Sequence, residues 1–281
     1  MSIQELYEDN INEYLDVVGT DIAEDMSRMY FHGIACHDDL DDTLKAALVW
    51  ELKSVEKPED TESEIVCVFQ EDSEGLIAAL EEYSKRIGDD KVARSFFELS
   101  DIDETREIVF ADSGFDMSTA ESREIKIPLG KLRSLSMLKD KVPKYIKSLS
   151  EIDNDQFNQG MIRIMFNKNV GALDDMCYLS KEWYDQETSS CVITDGKVNG
   201  FFLVHRYPSG ILVPVLLYAA GPYSKYDLLY MMRHSINSAL AAYPEDTMVS
   251  IRRRNDKVRA LATKLFPDEK GSTVISGQRI E

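Results

Sequence analysis

The chain has 281 residues, of which 43% are hydrophobic, a share that supports folded cores and excludes a disordered chain. Its 51 acidic and 32 basic residues give a formal net charge of −19, which argues against nucleic acid as a partner. The longest apolar run, residues 211–220, is shorter than the roughly 20 residues that a membrane-spanning helix needs, and the polar N-terminus does not resemble a signal peptide. We therefore expect a cytoplasmic protein without a membrane partner.

The first half of the chain predicts helices and strands in alternation. Reading along the chain, we expect helical structure in residues 2–30, strands at 44–54 and 64–70, a helix at 73–87, a strand at 94–99, a helix at 103–113 and a strand at 123–129. The strands are rich in β-branched and apolar residues, and the long helix places Leu76, Leu80 and Tyr83 at helical spacing. Gly114 follows the second helix and suits its end, because glycine tolerates the left-handed conformation found there.

The second half predicts the same order after a basic segment. We expect helical structure within residues 154–183, strands at 190–194, 198–206 and 210–220, a helix at 224–243, a strand at 247–253, a helix at 256–266 and a short strand at 273–276. The Asp195-Gly196 dipeptide predicts a hairpin turn.

Corresponding elements of the two halves lie at a nearly constant offset. Strands 65–69 and 213–217 are about 148 residues apart, and strands 94–99 and 248–253 about 154, which indicates an internal repeat. We predict an α+β protein of two tandem copies, each a three-layer αβα sandwich with a mixed, mostly antiparallel sheet. The predicted boundaries are 1–131 for the N-terminal domain, 132–148 for a linker and 149–281 for the C-terminal domain.

Charge divides unevenly along the chain. Residues 1–148 hold 17 Lys and Arg against 35 Asp and Glu, a charge of −18, whereas residues 149–281 hold 15 against 16, a charge of −1. Only the second half is therefore a suitable host for an anionic cofactor.

Metal ligation is not predicted. The four cysteines are not spaced like a zinc or redox motif. One cluster, His32, Cys36, His37, Asp38 and Asp39, contains metal-ligand residue types, but these are contiguous and have no second ligand pair elsewhere.

The order of elements resembles the GCN5-related N-acetyltransferase (GNAT) fold. In that family acyl-CoA lies in a gap between two splayed strands, and a loop of the form Arg/Gln-x-x-Gly-x-Gly/Ala binds the pyrophosphate at a helix N-terminus. A second signature is an Asn that opens the next helix, with a Tyr seven residues later and a Gly-Phe pair after it. The resemblance covers nearly the whole chain in element order.

The first half departs from the family pattern at the cofactor loop. Gly114-Phe115 matches the Gly-Phe pair, but Asp103 and Phe110 stand where the Asn and Tyr would be. The loop 70–74 has three carboxylates and lacks the glycine pair, and like charges beside a pyrophosphate oppose its binding. We predict that this half does not bind CoA in the usual way.

The second half matches better but incompletely. Asn255 matches the family Asn, whereas Ala262 takes the Tyr position and Phe266-Pro267 the Gly-Phe position. The resemblance implies the following cofactor-binding residues: Leu217, Ala219, Ala220, Gly221, Tyr223, Ser224, Lys225 and Asn255. The nearby basic residues, Arg252, Arg253, Arg254, Lys257 and Arg259, either meet the nucleotide phosphate or are solvated surface charges.

The resemblance also implies a reaction, the attack of an amine on an acyl thioester. His205 and Tyr218 are the candidate catalytic residues nearest the presumed gap; the alternatives are a surface or packed strand histidine for His205 and aromatic strand packing for Tyr218. The first hypothesis is an N-acyltransferase that moves the acyl group of acetyl-CoA, or of another acyl-CoA, to a small-molecule amine or a basic peptide. The alternative is a non-catalytic module that binds a small ligand or a protein.

Overall fold

The computed structural model describes residues 1–53, 61–100, 102–166, 178–221, 224–253 and 256–281. The chain forms two compact units. Unit 1 comprises Met1–Ser122 and Ser272–Glu281, and unit 2 comprises Arg123–Gly271.

Unit 1 is built on a seven-stranded sheet. Its elements are β1 (Ser2–Leu6), a 3-10 helix (Ile11–Tyr14), α1 (Leu15–Val18), α2 (Thr20–Asp25), β2 (Phe31–His37), β3 (Leu44–Lys53), β4 (Glu62–Gln70), α3 (Ser73–Asp89), β5 (Arg94–Leu99), α4 (Glu104–Asp112), β6 (Asp116–Glu121) and β13 (Thr273–Ile280). The strand order is β1-β2-β3-β4-β5-β13-β6, and every neighbouring pair is antiparallel except β4 with β5.

Helices cover both faces of this sheet. The predicted apolar stripe of α3 is buried on one face, where Leu76, Leu80 and Tyr83 pack with Trp50 of β3. The short helices α1 and α2 cover the other face, around Phe31 and its neighbours. Unit 1 therefore has the predicted three layers.

Unit 2 is built on a six-stranded sheet. Its elements are β7 (Glu124–Pro128), 3-10 helices (Leu129–Ser134 and Ser136–Lys139), β8 (Ile146–Ser148), a 3-10 helix (Leu149–Glu151), α5 (Asn154–Met165), a 3-10 helix (Lys181–Trp183), β9 (Ser190–Thr194), β10 (Lys197–Arg206), β11 (Leu212–Ala219), α6 (Ser224–Ala242), β12 (Met248–Arg252) and α7 (Asp256–Leu265). The order is β7-β12-β11-β10-β9-β8, with β11 and β12 parallel and the other neighbours antiparallel.

Two cores flank the unit 2 sheet. Met231 and Met232 of α6 and Ala262 of α7 pack on one face with Phe202 and Val204. Phe157 and Met161 of α5 pack on the other face with Phe201 and Leu203. Alternation along β10 accounts for this division, since successive side chains of a strand point to opposite faces.

The last strand of each predicted copy lies in the other unit. The strand expected at 123–129 is β7, which pairs with β12 of unit 2, and the strand expected at 273–276 is β13, which pairs with β5 and β6 of unit 1. The units therefore divide the chain at Ser122 and Gly271 instead of following the expected boundaries. The expected linker, 132–148, contains 3-10 turns and β8 and is part of unit 2.

Other local predictions were wrong in detail. Residues 2–30, expected to be helical, contain β1 and three short helices, and β2, β6 and β8 were not predicted. The helix expected within 154–183 ends at Met165, and residues 167–177 lie outside the described residues. Among the residues with a described placement, no helix is long and apolar enough to cross a membrane.

Candidate functional site

The unit 2 sheet opens between β11 and β12. These parallel strands are in register at a single position, Leu212 opposite Val249, and then diverge. On its other edge β11 stays paired with β10 as far as Ala219. Within the part of the chain that the structure describes, no strand pairs with the edge of residues 213–217 that faces the opening, so the backbone groups of this edge are suited to bind an extended ligand.

A β-bulge bends β11 inside the opening. Leu203 of β10 lies opposite Leu216 and Val204 lies opposite Pro214, so Val215 is an extra residue. Unit 1 has a bulge at the matching place, because Val49 lies opposite Cys67 and Trp50 lies opposite Ile65. Both units also open here, since β4 and β5 pair only as far as Ile65 opposite Phe97.

The turn between β11 and α6 forms one corner of the unit 2 opening. Ala220 N–H donates to the Asn199 carbonyl over 2.8 Å, and Ser224 N–H donates to the Gly221 carbonyl over 3.3 Å as α6 begins. Gly221 has a φ of +99°, which favours glycine, and an added Cβ there would meet no atom of the described residues within 4 Å. Lys225 is exposed beside it. Among the described residues, this corner therefore offers a helix N-terminus with space beside Gly221 for an anion.

Asp227 limits anion binding at this corner. Its side chain lies in the first turn of α6, is 8% exposed and accepts a hydrogen bond of 3.1 Å from the Tyr145 hydroxyl. Burial and the carboxylate of Asp227 raise the pKa of Tyr145 to about 12. A carboxylate in the first turn of a helix stabilises the helix, because its negative charge interacts favourably with the helix dipole. The same negative charge repels a phosphate.

The same corner in unit 1 is closed by the chain itself. Asp72 caps α3 and accepts a hydrogen bond of 2.8 Å from Gly75 N–H, while Lys45 Nζ lies 3.5 Å from the same carboxylate. Glu71 N–H donates to the Lys45 carbonyl over 2.8 Å, which fixes the turn against β3. An anion would meet a carboxylate where the family binds pyrophosphate.

The two positions of the family tyrosine lie in cores. Phe110 is fully buried, with its ring centroid 4.4 Å from that of Phe97 and 5.3 Å from that of Phe115. Ala262 is 3% exposed and packs in the α6–α7 core. Neither position presents a hydroxyl to an opening. The tyrosine of the family signature therefore has no replacement at its own position in either unit.

The structure does not bring His205 and Tyr218 together. His205 lies opposite Val213 and Tyr218 opposite Phe201, which places them about 13 Å apart along the strands. His205 is 2% exposed, stacks on Trp183 at 3.6 Å between ring centroids, and its Nδ1 lies 2.6 Å from the Trp183 carbonyl. Because a carbonyl only accepts, Nδ1 carries the proton, and in the neutral ring Nε2 is the basic nitrogen.

The predicted cofactor residues on β11 share one face of the strand. Leu217 and Ala219 pack toward α6, whereas Tyr218, a predicted catalytic residue, packs toward α5. Tyr223 and Asn255 lie outside the described residues, as does Arg254. The predictions for Leu217, Ala219, Ala220, Gly221, Ser224 and Lys225 therefore concern one continuous stretch of β11, the corner and α6.

Sequence reasoning missed a polar pair close to the point where the strands part. Ser250 follows Val249 directly on β12, is 1% exposed and donates a hydrogen bond to the carboxylate of Glu124 on β7. Lys126 Nζ lies 3.5 Å from the other oxygen of that carboxylate. The sequence signal was a serine between the apolar residues Val249 and Ile251, and Glu124 was assigned to the other copy.

The basic residues near the end of β12 that the structure describes differ in their surroundings. Arg253 Nε donates to the Arg123 carbonyl over 3.2 Å. Lys257 and Arg259 are exposed on α7.

In unit 1, His37 of the histidine–cysteine cluster contacts the Tyr14 hydroxyl at 3.0 Å and the Asp42 carbonyl at 3.1 Å. Among the described side chains, no group of three or more His, Cys, Asp and Glu residues could hold a metal ion.

No family model matches the chain, and no curated protein matches it in sequence. Solved structures do match it. A tandem GNAT protein from the clavulanic acid biosynthesis pathway has a TM-score of 0.60 at 10% identity, over 99% of this chain and 98% of that one. A glucosamine N-acetyltransferase region of a fungal multi-domain GH3 β-N-acetylglucosaminidase has a TM-score of 0.57 at 10% identity, over 99% and 38%.

A third similar structure is a conserved protein of unknown function from Enterococcus faecalis, which has been suggested to be an N-acyltransferase. It has a TM-score of 0.52 at 13% identity, over 99% of this chain and 72% of that one. At such identities the similarity shows the fold alone. The chain has a tandem GNAT-like fold, which confirms the predicted fold class and the resemblance to the GNAT fold.

Proposed function

We propose that the chain is an acyl-CoA-dependent N-acyltransferase whose unit 2 binds the cofactor. The observation that carries the proposal is the opening of unit 2, where a bulged strand that pairs with β12 at a single position leads to the Gly221 corner and a helix N-terminus. Unit 1 has the opening and the bulge, but its corner is capped by Asp72. The two copies therefore differ where the phosphates would bind.

The described residues fit acyl-CoA along β11. Backbone groups of residues 213–217 would hold the extended arm, and Gly221, Ser224 and Lys225 would meet the phosphates. When bound, the cofactor supplies the thioester from which the acyl group leaves. Asp227 is the one described group at the corner whose charge opposes this fit.

Three groups are candidates for accepting the proton of the amine. Glu124 is a candidate because its carboxylate accepts a hydrogen bond from Ser250, which directly follows the one position where β12 pairs with β11, while Glu124 itself lies on β7 at the other edge of β12. Nε2 of His205 and the Tyr218 hydroxyl remain candidates on the strand itself. A change from glutamate to glutamine at Glu124 would separate the role of charge from that of packing.

The acceptor that we propose is a cationic amine, either a small molecule or a basic peptide. Unit 1 holds 10 Lys and Arg against 34 Asp and Glu, a charge of −24, and unit 2 holds 22 against 17, a charge of +5. Such a division favours the approach of an anionic cofactor to unit 2 and raises the local concentration of cations around unit 1.

A non-catalytic binding module is the second candidate. The observation that favours it is the burial of Phe110 and Ala262 at the family tyrosine positions, so that neither unit keeps the usual acid. Such a module would bind a CoA species through unit 2 without turnover.

A thermal-shift titration of the full chain with acetyl-CoA, CoA and desulfo-CoA tests the proposal. A ligand at 100 times its Kd should stabilise the folded chain by about 2.7 kcal/mol, a shift of a few degrees. Gly221→Ala controls for backbone strain, and Gly221→Glu adds a carboxylate at the same position. We expect Gly221→Ala to keep most of the shift and Gly221→Glu to lose it. Absence of a shift with every CoA species would refute the proposal.

A further inference from the structure

The two units exchange strands, and the strand given to unit 1 is an internal one. β13 lies between β5 and β6, in register with β5 from Ile275 opposite Leu99 to Ile280 opposite Arg94. It is in register with β6 from Thr273 opposite Glu121 to Gln278 opposite Asp116. The sheet of unit 1 is therefore continuous only when residues 273–280 are in place.

Side chains of β13 also join the helices of unit 1 to the sheet. Arg279 donates to the Ser113 carbonyl at the end of α4 over 2.9 Å and to Ser84 Oγ of α3 over 3.1 Å. Its guanidinium lies 4.7 Å from the centre of the Phe115 ring. Gly277 lies so close to Phe97 that an added Cβ would be 2.4 Å from the ring. β13 is thus fitted specifically to this place.

The exchanged strand β7 holds β12 in unit 2. β12 meets β11 at a single position, but it pairs with β7 over its whole length, from Met248 opposite Pro128 to Arg252 opposite Glu124. The bond from Ser250 to Glu124 adds to this pairing. Leu129 N–H also donates to the Thr247 carbonyl over 2.8 Å. One side of the unit 2 opening is therefore positioned by a strand that directly follows unit 1 in the chain.

The link that leads into β7 is short. Ser122 and Arg123 are the only residues between β6 and β7, whereas residues 266–272 join α7 to β13. Ser122 N–H donates to the Ser272 carbonyl over 2.8 Å, so the two crossings are bonded to each other. A link of two residues spans roughly 7 Å at most, so it cannot absorb a large movement of either strand.

We propose that the strand exchange makes the two units one cooperative folding body. When β13 leaves unit 1, the hydrogen bond between Ser122 and Ser272 is lost, and with it the anchor of the short link to β7. β7 then no longer holds β12 in place. Unfolding of either unit is thereby coupled to unfolding of the other. The proposal is independent of the ligand that unit 2 binds.

The chain has an internal pair of reporters for this test. Its two tryptophans are Trp50, buried in unit 1, and Trp183, in unit 2. Trp183→Phe leaves a fluorescence reporter for unit 1, and Trp50→Phe leaves one for unit 2. Arg279→Ala is then introduced into each background, and the urea midpoints are compared with the parent of the same background. Arg106→Ala, which removes a surface contact with Asp103, is the matched control.

We expect Arg279→Ala to lower the midpoint of both reporters by the same amount, and Arg106→Ala to leave both unchanged. Gly277→Ala is the stronger variant, and it should shift both reporters further or abolish both native signals together. Ser250→Ala, made in unit 2, should lower the Trp50 midpoint as well as the Trp183 midpoint. A shift confined to Trp50 on changing β13, or no shift of either reporter with Gly277→Ala, overturns the proposal.

Discussion

At the scale of single residues, Asp227 decides how well the corner of unit 2 suits a phosphate. Replacing its carboxylate by an amide in Asp227→Asn keeps the shape and a partner for Tyr145 while removing a buried like charge. We expect acetyl-CoA to bind more tightly, on the order of tenfold. Asp246→Asn, an exposed change of the same kind in the same unit, should have little effect. Calorimetric Kd values compare the variants, and equal affinities for Asp227→Asn and the wild type would show that phosphate does not bind at this corner.

Buried cysteine thiols and a buried tyrosine hydroxyl predict that the chain loses stability at alkaline pH. Burial raises the pKa of Cys36 to about 11 and of Cys191 and Tyr83 to about 12. The unfolded chain loses its thiol protons near a pH of about 8.5 while the folded chain keeps them, so stability is fully present below that pH and is lost as pH rises toward 11. Urea midpoints should be level from pH 7 to 8 and fall above pH 9. Cys191→Ala should make the fall shallower, and level midpoints up to pH 10.5 would contradict this account.

At the scale of elements, two helical glycines predict opposite effects of the same substitution. A Cβ at Gly160 of α5 would lie 2.8 Å from the Phe201 ring, whereas one at Gly88 of α3 would meet nothing within 4 Å. We expect Gly160→Ala to destabilise the chain by about 1–3 kcal/mol through overpacking. Gly88→Ala should stabilise it by about 0.5–1 kcal/mol through helix propensity. Urea unfolding measures both, and a stabilising Gly160→Ala would show that α5 does not pack as described.

The elements also show what the sequence can predict. Long periodic segments such as α3 and α6, and the hairpin turn at Asp195-Gly196, follow from local pattern and lie where expected. The sequence of β7 predicts a strand equally well, but pairing with β12 is a non-local choice that its alternation does not encode. β1 was missed because its side chains are mostly exposed, and an edge strand has no continuous apolar run.

The candidate site was predictable only in part. The corner at Gly221 was found because glycine and a helix start are local signals. The opening itself depends on where β11 leaves β12, and Glu124 comes from a strand that belongs to the other half of the sequence. His205 illustrates the reverse case, because its residue type suggested chemistry while its environment is a packed stack with Trp183.

At the scale of the whole molecule, the division of charge predicts a salt effect that depends on the acceptor. Charges of −24 on unit 1 and +5 on unit 2 should steer a cationic amine, and salt screens such steering. At pH 7 spermidine is a cation and aniline is neutral. We expect kcat/KM for acetyl transfer to spermidine to fall on the order of tenfold between 20 and 200 mM salt, and kcat/KM for transfer to aniline to fall less steeply. Equal falls for the two amines would contradict a role for unit 1 in attracting the acceptor.

We propose that unit 2 binds acyl-CoA and that unit 1 does not. Isothermal titration of the full chain with acetyl-CoA tests this proposal, with Gly221→Glu and Ser73→Glu as a matched pair that adds one carboxylate to the corner of unit 2 or of unit 1. We expect one site per chain, lost in Gly221→Glu and retained in Ser73→Glu. Absence of binding, two sites per chain, or binding lost only in Ser73→Glu would contradict it.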